Sequence, residues 1–267
     1  MTLPDWVRRR PLVGVVGVPP LPGCYGYRGA TFADIERRVV TDAEAYARAG
    51  FDALMIQNIG DLPVPERAGP ETIAWLTALG RAVRAVVRLP LGVCVLKSDG
   101  QGALAVAQAI DGEFVRVKVW IGAMVGAEGL VQGRARDVLQ YRRRICAEHI
   151  AIWADVHDRT GVPLAPMPLE LAAKEAVWFG KADALVITAG SADETMAWIE
   201  RVRRVIGGTP VMVGGGASLS NIAGLLARAD GVIVATAAKV QGALSNPVDP
   251  SSARALVEGA GAGRTAP

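Results

Sequence analysis

The chain has 267 residues, of which 51% are hydrophobic and 21% charged, which is enough apolar material for a large core and excludes a disordered chain. Its 29 basic and 26 acidic residues leave a net charge of only +3, so a nucleic-acid partner is not predicted. The apolar run near the N-terminus is short and ends at Pro19, and no run reaches the length of a bilayer, so neither a signal peptide nor a membrane span is predicted.

Short segments rich in β-branched residues alternate along the chain with longer segments of helical spacing. The predicted strands are residues 12–18, 52–58, 91–96, 114–119, 151–156, 182–188, 210–213 and 231–235. The predicted helices are residues 31–49, 71–87, 102–110, 134–148, 169–179, 193–206, 218–227 and 250–258. Eight such units predict one α/β domain, a single (β/α)8 TIM barrel over residues 1–258, followed by a disordered tail at 259–267.

The alternative to a barrel is an open doubly wound sheet, which normally binds phosphate at its first strand–helix turn. That turn reads GVPPLPG here, and its prolines lack the N–H donors that a phosphate requires. The three cysteines are an odd number without a C-x-x-C pair, which predicts a reduced, cytoplasmic protein. The arginine runs at 8–10 and 142–144 are interpreted as a solvated terminus and a solvated helix end.

The turn after the seventh predicted strand consists of Gly214, Gly215 and Gly216. Active sites of TIM barrels form at the carboxyl ends of the strands, and glycine lets backbone amides approach an anion there. Ser218 or Ser220 is expected to cap the next helix and present its positive N-terminus to the same anion. The sequence therefore predicts a phosphate-binding turn, and the alternative is an ordinary tight turn.

The turn after the eighth predicted strand contains Thr236 and Lys239. A hydroxyl and an ammonium at this place are expected to add a hydrogen bond and a cation to the same phosphate. Both turns together predict that a small phosphorylated metabolite is the partner of this protein.

Polar residues also end the second, third and sixth predicted strands. They are Gln57, Asn58, Asp61, Lys97, Asp99 and Thr188. Lys97 is a candidate for polarising a substrate carbonyl or engaging it covalently, and the other five are candidate substrate contacts. The alternatives are that Asn58 and Asp61 bond nearby backbone in an Asx turn, and that Lys97 pairs with Asp99 at the rim.

Arg116 and Lys118 alternate with valines in the fourth predicted strand. The valines are expected to face the helices, which places both cations inside the barrel. Buried cations require anions, either acidic neighbours or a charged ligand. Alternatively, Lys118 is an amine nucleophile that forms a Schiff base, with its pKa lowered by burial and by Arg116.

Asp155 and His157 end the fifth predicted strand, two residues apart and therefore on one face. This spacing suits an oriented acid–base pair. The alternatives are a shared divalent metal and a histidine that is merely hydrogen-bonded at the rim. Two ligands are too few for a metal site, so no metal is predicted.

Several long blocks of the sequence resemble one family. They include MIQNIGDLPVP, LPLGVCVLKSD, FVRVKVWIGAMVGAEGLVQGRARDVLQYRR, IWADVH and PVMVGGGASLSNIAGLLARADGVIVATAAK. From about Val13 to Val257 the chain resembles the BtpA family, which is named for a factor that affects photosystem I accumulation in cyanobacteria. The resemblance implies a ribulose-phosphate-binding-like TIM barrel and brings no established reaction with it.

The chain also departs from the pattern of that family. The family usually has histidine at position 17, glutamate at 57 and asparagine at 94 and 118, where this chain has Gly17, Gln57, Cys94 and Lys118. Its phosphate turns usually read Gly-Ser-Gly and Gly-Thr/Ser-Ser-Leu-Lys, whereas this chain has GGG and ATAAK. These changes alter the charge and the proton-transfer groups of the pocket, so the resemblance implies a similar ligand with a different reaction or none.

The leading prediction is an enzyme of lyase or isomerase type that acts on a sugar-like or nucleotide-like phosphorylated metabolite. No nicotinamide or flavin motif is present, so no cofactor is predicted. A homo-oligomer is expected, because barrels of this type often self-associate. The alternative is a non-catalytic accessory factor of the photosystem I biogenesis type, which predicts an exposed apolar patch. RNA binding through the arginine runs is a weaker third hypothesis.

Overall fold

The structure, a computed structural model, describes residues 4–264. Its strands are β1 (Leu12–Gly17), β2 (Ala53–Gln57), β3 (Leu91–Cys94), β4 (Phe114–Val117), β5 (Ala123–Gly126), β6 (Gly129–Gln132), β7 (Ala151–Val156), β8 (Gly161–Pro163), β9 (Ala184–Ile187), β10 (Val211–Val213) and β11 (Gly231–Val234). Its α-helices are α1 (Phe32–Ala49), α2 (Pro70–Val86), α3 (Gly100–Ala109), α4 (Ala135–Arg144), α5 (Leu169–Trp178), α6 (Ala192–Ile206), α7 (Ile222–Arg228) and α8 (Pro250–Arg264).

Eight of these strands close a parallel barrel in the order β1-β2-β3-β4-β7-β9-β10-β11, and β11 pairs with β1. The predicted (β/α)8 barrel is thereby confirmed. Alternation along β4 turns Val115 and Val117 toward the helix layer, where they join the main core, and turns Arg116 into the barrel. No helix among residues 4–264 has the length and apolar character needed to cross a bilayer.

The amino-terminal end of the barrel is closed by aromatic side chains. Phe114 and Trp153 stack inside the barrel with ring centroids 3.9 Å apart, and Trp6 packs below them, 5.8 Å from Phe114. A short 3-10 helix at Asp5–Arg9 carries Trp6, whose Nε1 donates to Glu113 Oε2 at 2.7 Å. A ligand therefore reaches the barrel from the opposite, carboxyl end of the strands, which we call the mouth.

A small antiparallel sheet of β6, β5 and β8 stands at the mouth, in the loops that follow β4 and β7. The sequence analysis did not predict it. Lys97, just beyond β3, fastens this sheet to the barrel, because its buried Nζ lies 3.0 Å from Glu128 Oε2 and 3.4 Å from the Thr160 carbonyl oxygen. The small sheet is thus held over one side of the mouth.

Helix α8 continues to Arg264, so residues 259–264 are helical and the predicted disordered tail is wrong there. The glycines in this stretch permit close packing, because a Cβ on Gly263 would lie 2.4 Å from the Ala223 carbonyl oxygen of α7. Arg10 Nη1 also donates to the Gly263 carbonyl at 3.1 Å. Residues 265–267 of the predicted tail lie outside the described residues.

Arg142 belongs to the second arginine run, which was predicted to be solvated, and for this residue the prediction is wrong. This side chain is buried, and its Nη1 lies 3.2 Å from Asp183 Oδ2. It also donates to the carbonyls of Ala147 and Glu148, which tie the end of α4 to the loop before β7. Arg142 therefore has a structural contact at the amino-terminal side of β7.

Candidate active site

A buried ion pair between neighbouring strands forms the floor of the mouth. Arg116 of β4 donates from Nε to Asp155 Oδ1 at 2.8 Å and from Nη2 to Asp155 Oδ2 at 2.7 Å. Burial alone would lower the pKa of Arg116, but the charge and hydrogen bonds of Asp155 raise it, so the guanidinium stays protonated. The charge of Arg116 is thus balanced by an acidic neighbour. This is one of the two alternatives in the sequence analysis, the other being a charged ligand.

The glycine turn at residues 214–216 follows β10 and contacts this floor. The Gly214 carbonyl accepts from Arg116 Nη2 at 3.3 Å and from Thr188 Oγ1 at 2.8 Å. A Cβ on Gly214 would lie 2.6 Å from Arg116 Nη2, so only glycine allows the guanidinium to pack here. The Gly214 amide is already bonded to the Ile187 carbonyl at 3.1 Å and is not available to a ligand.

Gly215 and Gly216 have positive φ angles of 130° and 74°, which non-glycine residues rarely adopt. Their amides donate no hydrogen bond within residues 4–264. Beside them lies Arg159, whose Nη2 is 3.4 Å from the place that a Cβ on Gly215 would occupy. Arg159 is exposed and has neither an ion pair nor a hydrogen bond to any described residue.

Arg159 was missed by the sequence analysis. The signal available was a cation three residues after β7, at the carboxyl ends of the strands where active sites of TIM barrels form. Its direction depends on the backbone at His157, which adopts a left-handed φ of 54°. Strand alternation does not predict that turn of the chain.

The predicted helix cap after the glycine turn is wrong. Helix α7 begins at Ile222 with Asn221 as its N-cap residue, and it is seven residues long. The hydroxyls of Ser218 and Ser220 lie 2.9 Å from each other and cap no helix, while Asn221 Oδ1 accepts from the Ser218 amide at 2.8 Å. The amides of the glycine turn therefore precede the helix by several residues.

The phosphate role predicted for Lys239 is also wrong. Its ammonium is buried against α1 and lies 2.8 Å from Asp42 Oδ2. Burial lowers the pKa of Lys239, and Asp42 opposes that shift. The 3-10 helix Thr236–Ala238 turns the chain after β11, which directs Lys239 into the helix layer and leaves Thr236 exposed at the mouth.

The polar residues after β2 and β3 bond the protein itself. Asn58 Nδ2 donates to Asp61 Oδ2 at 2.7 Å, and Asn58 Oδ1 accepts from the Leu96 amide at 2.8 Å. Asp61 Oδ1 accepts from the Leu21 amide at 2.8 Å. Asp99 caps α3 by accepting from the Gly102 amide at 2.9 Å, and its second oxygen accepts from the Ala68 amide.

These contacts favour the local-turn alternative for Asn58 and Asp61. The predicted rim pair of Lys97 and Asp99 does not form, because Lys97 pairs with Glu128 and Asp99 caps a helix. Gln57 is half-buried at the end of β2, and its side chain makes no hydrogen bond within the described part of the chain.

A cavity of about 330 Å³ opens beside the floor, between the mouth and the small sheet. Lys118, Asp155 and His157 line its inner wall. Lys118 is half-buried and forms no ion pair within residues 4–264. The ring of His157 lies edge-on to Trp198 with centroids 6.2 Å apart, and its buried Nε2 has no hydrogen-bond partner among the described residues.

The predicted acid–base pair of Asp155 and His157 is not formed as a hydrogen-bonded pair. Both carboxylate oxygens of Asp155 accept from Arg116 instead. Burial lowers the pKa of His157, so its imidazole is neutral at pH 7 and able to accept a proton. Within the described chain, no group of three His, Cys, Asp or Glu side chains is arranged to hold a metal.

Comparisons with known proteins agree with this architecture. The sequence model described as the BtpA family matches residues 8–262. A protein of Thermococcus kodakarensis is 38% identical over 252 residues, 94% of this chain and 95% of its own. The photosystem I biogenesis protein BtpA of Synechocystis is 34% identical over 251 residues, 93% of this chain and 87% of its own.

Among solved structures, tryptophan synthase from Mycobacterium tuberculosis superposes with a TM-score of 0.61 at 16% identity, covering 96% of this chain and 94% of that one. Phosphoribosylanthranilate isomerase from Thermotoga maritima gives 0.53 at 12% identity, covering 94% and 97%. At these identities the likeness extends to the fold alone.

Proposed function

Because the chain belongs to the BtpA family, a barrel family that brings no established reaction with it, we propose from the geometry of the mouth that it is an enzyme acting on a phosphorylated small molecule. The phosphate lies on the glycine turn, between the amides of Gly215 and Gly216 and the guanidinium of Arg159. The rest of the substrate lies toward Lys118 and His157.

The observation that carries this proposal is the unpaired Arg159 beside two unbonded amides. A phosphate at this place receives charge-assisted hydrogen bonds, each worth roughly 1.5–3 kcal/mol. The neighbouring cation Arg116 is already neutralised by Asp155, so the turn has one free positive charge for a dianion. The isomerase of similar fold is named for a phosphorylated substrate, which supports the same class here.

Lyase or isomerase chemistry is the type that these side chains support. Neutral His157 accepts a proton from a carbon next to a substrate carbonyl. Lys118 polarises that carbonyl as an ammonium or, when deprotonated, condenses with it to an imine and releases water. Lys97 is less suited to either role, because its ammonium is fixed by Glu128 beneath the small sheet.

Calorimetric titration with inorganic phosphate and with ribose 5-phosphate tests the phosphate site. Arg159→Gln is expected to weaken both affinities about tenfold, the loss of one charge-assisted contact. Arg88→Gln is the matched control, since Arg88 is another exposed arginine without an ion pair in the described chain. Equal affinities in the three proteins, or no binding to the wild type, would reject the proposed site.

Borohydride trapping tests the covalent form of the reaction. With a sugar phosphate that binds and carries a free carbonyl, condensation releases water and reduction adds two hydrogens, so Lys118 is expected to gain the mass of the ligand less one oxygen atom. The Lys118→Arg variant keeps the cation and is expected to gain no mass. Absence of any adduct would remove the imine and leave Lys118 as an electrostatic partner of the carbonyl.

A second candidate function is a non-catalytic accessory role, which two adjacent aromatic residues favour. Trp178 and Phe179, at the end of α5, are 81% and 73% exposed. The Synechocystis relative is named for photosystem I biogenesis. Complementation of a Synechocystis strain that lacks this relative separates the two functions. Restored photosystem I with a His157→Ala, Lys118→Met double variant would support the accessory role, and restoration by the wild-type chain alone would support the enzyme.

A further inference from the structure

The cavity beside the floor has one polar wall and several apolar walls. Its apolar lining includes Trp120, Met124, Pro163, Leu164, Met167 and Ala172. Trp120 lies between β4 and β5, Met124 lies in β5, and Pro163 ends β8. Leu164 and Met167 lie in the loop after β8, and Ala172 lies in the first turn of α5. We call this cavity the apolar pocket.

A phosphate group does not suit the apolar pocket, because a charged group loses its hydration among apolar side chains. The volume of about 330 Å³ is within the usual range of small-molecule sites. For comparison, an apolar cavity of about 150 Å³ in another protein accommodates benzene. The pocket thus has room for a ring-sized apolar group together with the atoms that link it to the mouth.

Two sets of protein contacts connect the apolar pocket with the glycine turn. Asp155 lines the pocket and bonds Arg116, which in turn donates to the Gly214 carbonyl at 3.3 Å. One backbone segment also joins them, since His157 and Asp158 line the pocket and the next residue, Arg159, lies beside Gly215. The apolar pocket and the glycine turn are therefore close neighbours at the mouth of the barrel.

We propose that the apolar pocket binds an aromatic or branched aliphatic group of the substrate, which is accordingly a phosphate monoester bearing such a group rather than a simple sugar phosphate. The inference rests on the proposed phosphate site for one end of the molecule. The small sheet then acts as the outer wall of a substrate site, and its attachment through Lys97 and Glu128 keeps that wall in place.

Calorimetry with inorganic phosphate, glycerol 3-phosphate and a series of phenylalkyl phosphates, from phenyl to 4-phenylbutyl phosphate, tests this inference. At least one member of the series is expected to bind about tenfold or more tightly than glycerol 3-phosphate, since a phenyl ring leaves water on binding. The best chain length reports the span between the glycine turn and the pocket.

Two uncharged variants show where the ring binds. Leu164→Asn changes a pocket wall at a residue that is 61% exposed, and Val162→Asn makes a similar change two residues earlier, at a residue that is 69% exposed and does not line the pocket. Leu164→Asn is expected to weaken the best phenylalkyl phosphate about fivefold without changing the affinity for inorganic phosphate, whereas Val162→Asn changes neither.

Three results would overturn the inference, and they are distinguishable. If inorganic phosphate binds and no phenylalkyl phosphate exceeds glycerol 3-phosphate, the apolar substrate class is wrong and the phosphate site stands. If a phenylalkyl phosphate binds tightly but Leu164→Asn and Val162→Asn weaken it equally, the ring binds outside the pocket. If none of these phosphates binds the wild type, the proposed function fails together with the inference.

Discussion

The two sides of the barrel mouth use polar side chains differently. After β2 and β3, which we call the closed side, Asn58, Asp61 and Asp99 bond backbone amides or one another. After β4 and β7, which we call the open side, Lys118 and Arg159 have no ion pair and His157 Nε2 no hydrogen bond within the described chain.

The difference separates structural polar groups from functional candidates. A buried polar atom without a partner costs roughly 1–3 kcal/mol, so folding alone favours the arrangement of the closed side. Under the proposed function, a bound ligand supplies the partners that these groups of the open side lack within the described chain. The floor pair of Arg116 and Asp155 belongs to the open side and supports it from below.

Breaking the floor pair is expected to have the largest effect on stability. Arg116→Met leaves the Asp155 carboxylate buried without its cation, and loss of one partner of a buried pair costs about 3–5 kcal/mol. The free energy of unfolding from urea denaturation at pH 7 measures this loss. The double variant Arg116→Met, Asp155→Leu is expected to recover much of it, because no buried charge remains.

The pH dependence of the same variant gives a second check. Burial raises the pKa of Asp155, and without Arg116 nothing nearby of equal strength opposes that shift. A carboxyl with a raised folded pKa stabilises the protein when protonated and loses that contribution as the pH rises. The free energy of unfolding of Arg116→Met should therefore lie closer to that of the wild type at pH 4 than at pH 7. A constant deficit would show that Asp155 is not buried as a lone charge.

Much of the barrel was predictable from local sequence patterns. Runs of β-branched residues and helical spacing are set by neighbours in the chain, and the predicted segment 151–156 coincides with β7. The small sheet was not predictable in this way. Its strands are three or four residues long and partly exposed, and Met124 pairs with Pro163 across a long stretch of chain.

The candidate site was predictable only where strand alternation holds. Alternation placed Arg116 inside the barrel, because Val115 and Val117 need the apolar helix layer. It failed beyond the strand ends, where the left-handed backbone at His157 and the 3-10 helix at Thr236–Ala238 redirect the chain. The partner of Lys239 is Asp42, far away in sequence, and no local pattern reports such a contact.

Removing a carboxylate of the closed side sharpens the contrast between stability and binding. Asp61→Ala leaves Asn58 Nδ2 and the Leu21 amide without their acceptor, which is expected to cost about 2 kcal/mol in the free energy of unfolding. The affinity for inorganic phosphate should stay at the wild-type value, because no atom of the phosphate site changes. A loss of phosphate affinity in the still-folded variant would show that the closed side takes part in binding, which would contradict the distinction between the two sides.

The smallest expected effect concerns the pH dependence of His157 on the open side. Burial holds its pKa below the unfolded value of about 6.5, so the folded protein binds fewer protons near that pH than the unfolded chain does. The neutral imidazole contributes its full stability above pH 6.5, and this contribution is lost as the pH falls through the folded pKa.

The variant His157→Asn tests this pH dependence, because it removes the titrating group and keeps a residue type that tolerates the left-handed φ of 54°. Relative to this variant, the wild type should lose stability between pH 7 and pH 5, by less than about 1 kcal/mol since the ring is only half-buried. A difference that stays flat across this range would mean that the ring is solvated, and His157 would then lose its place among the unsatisfied groups of the open side.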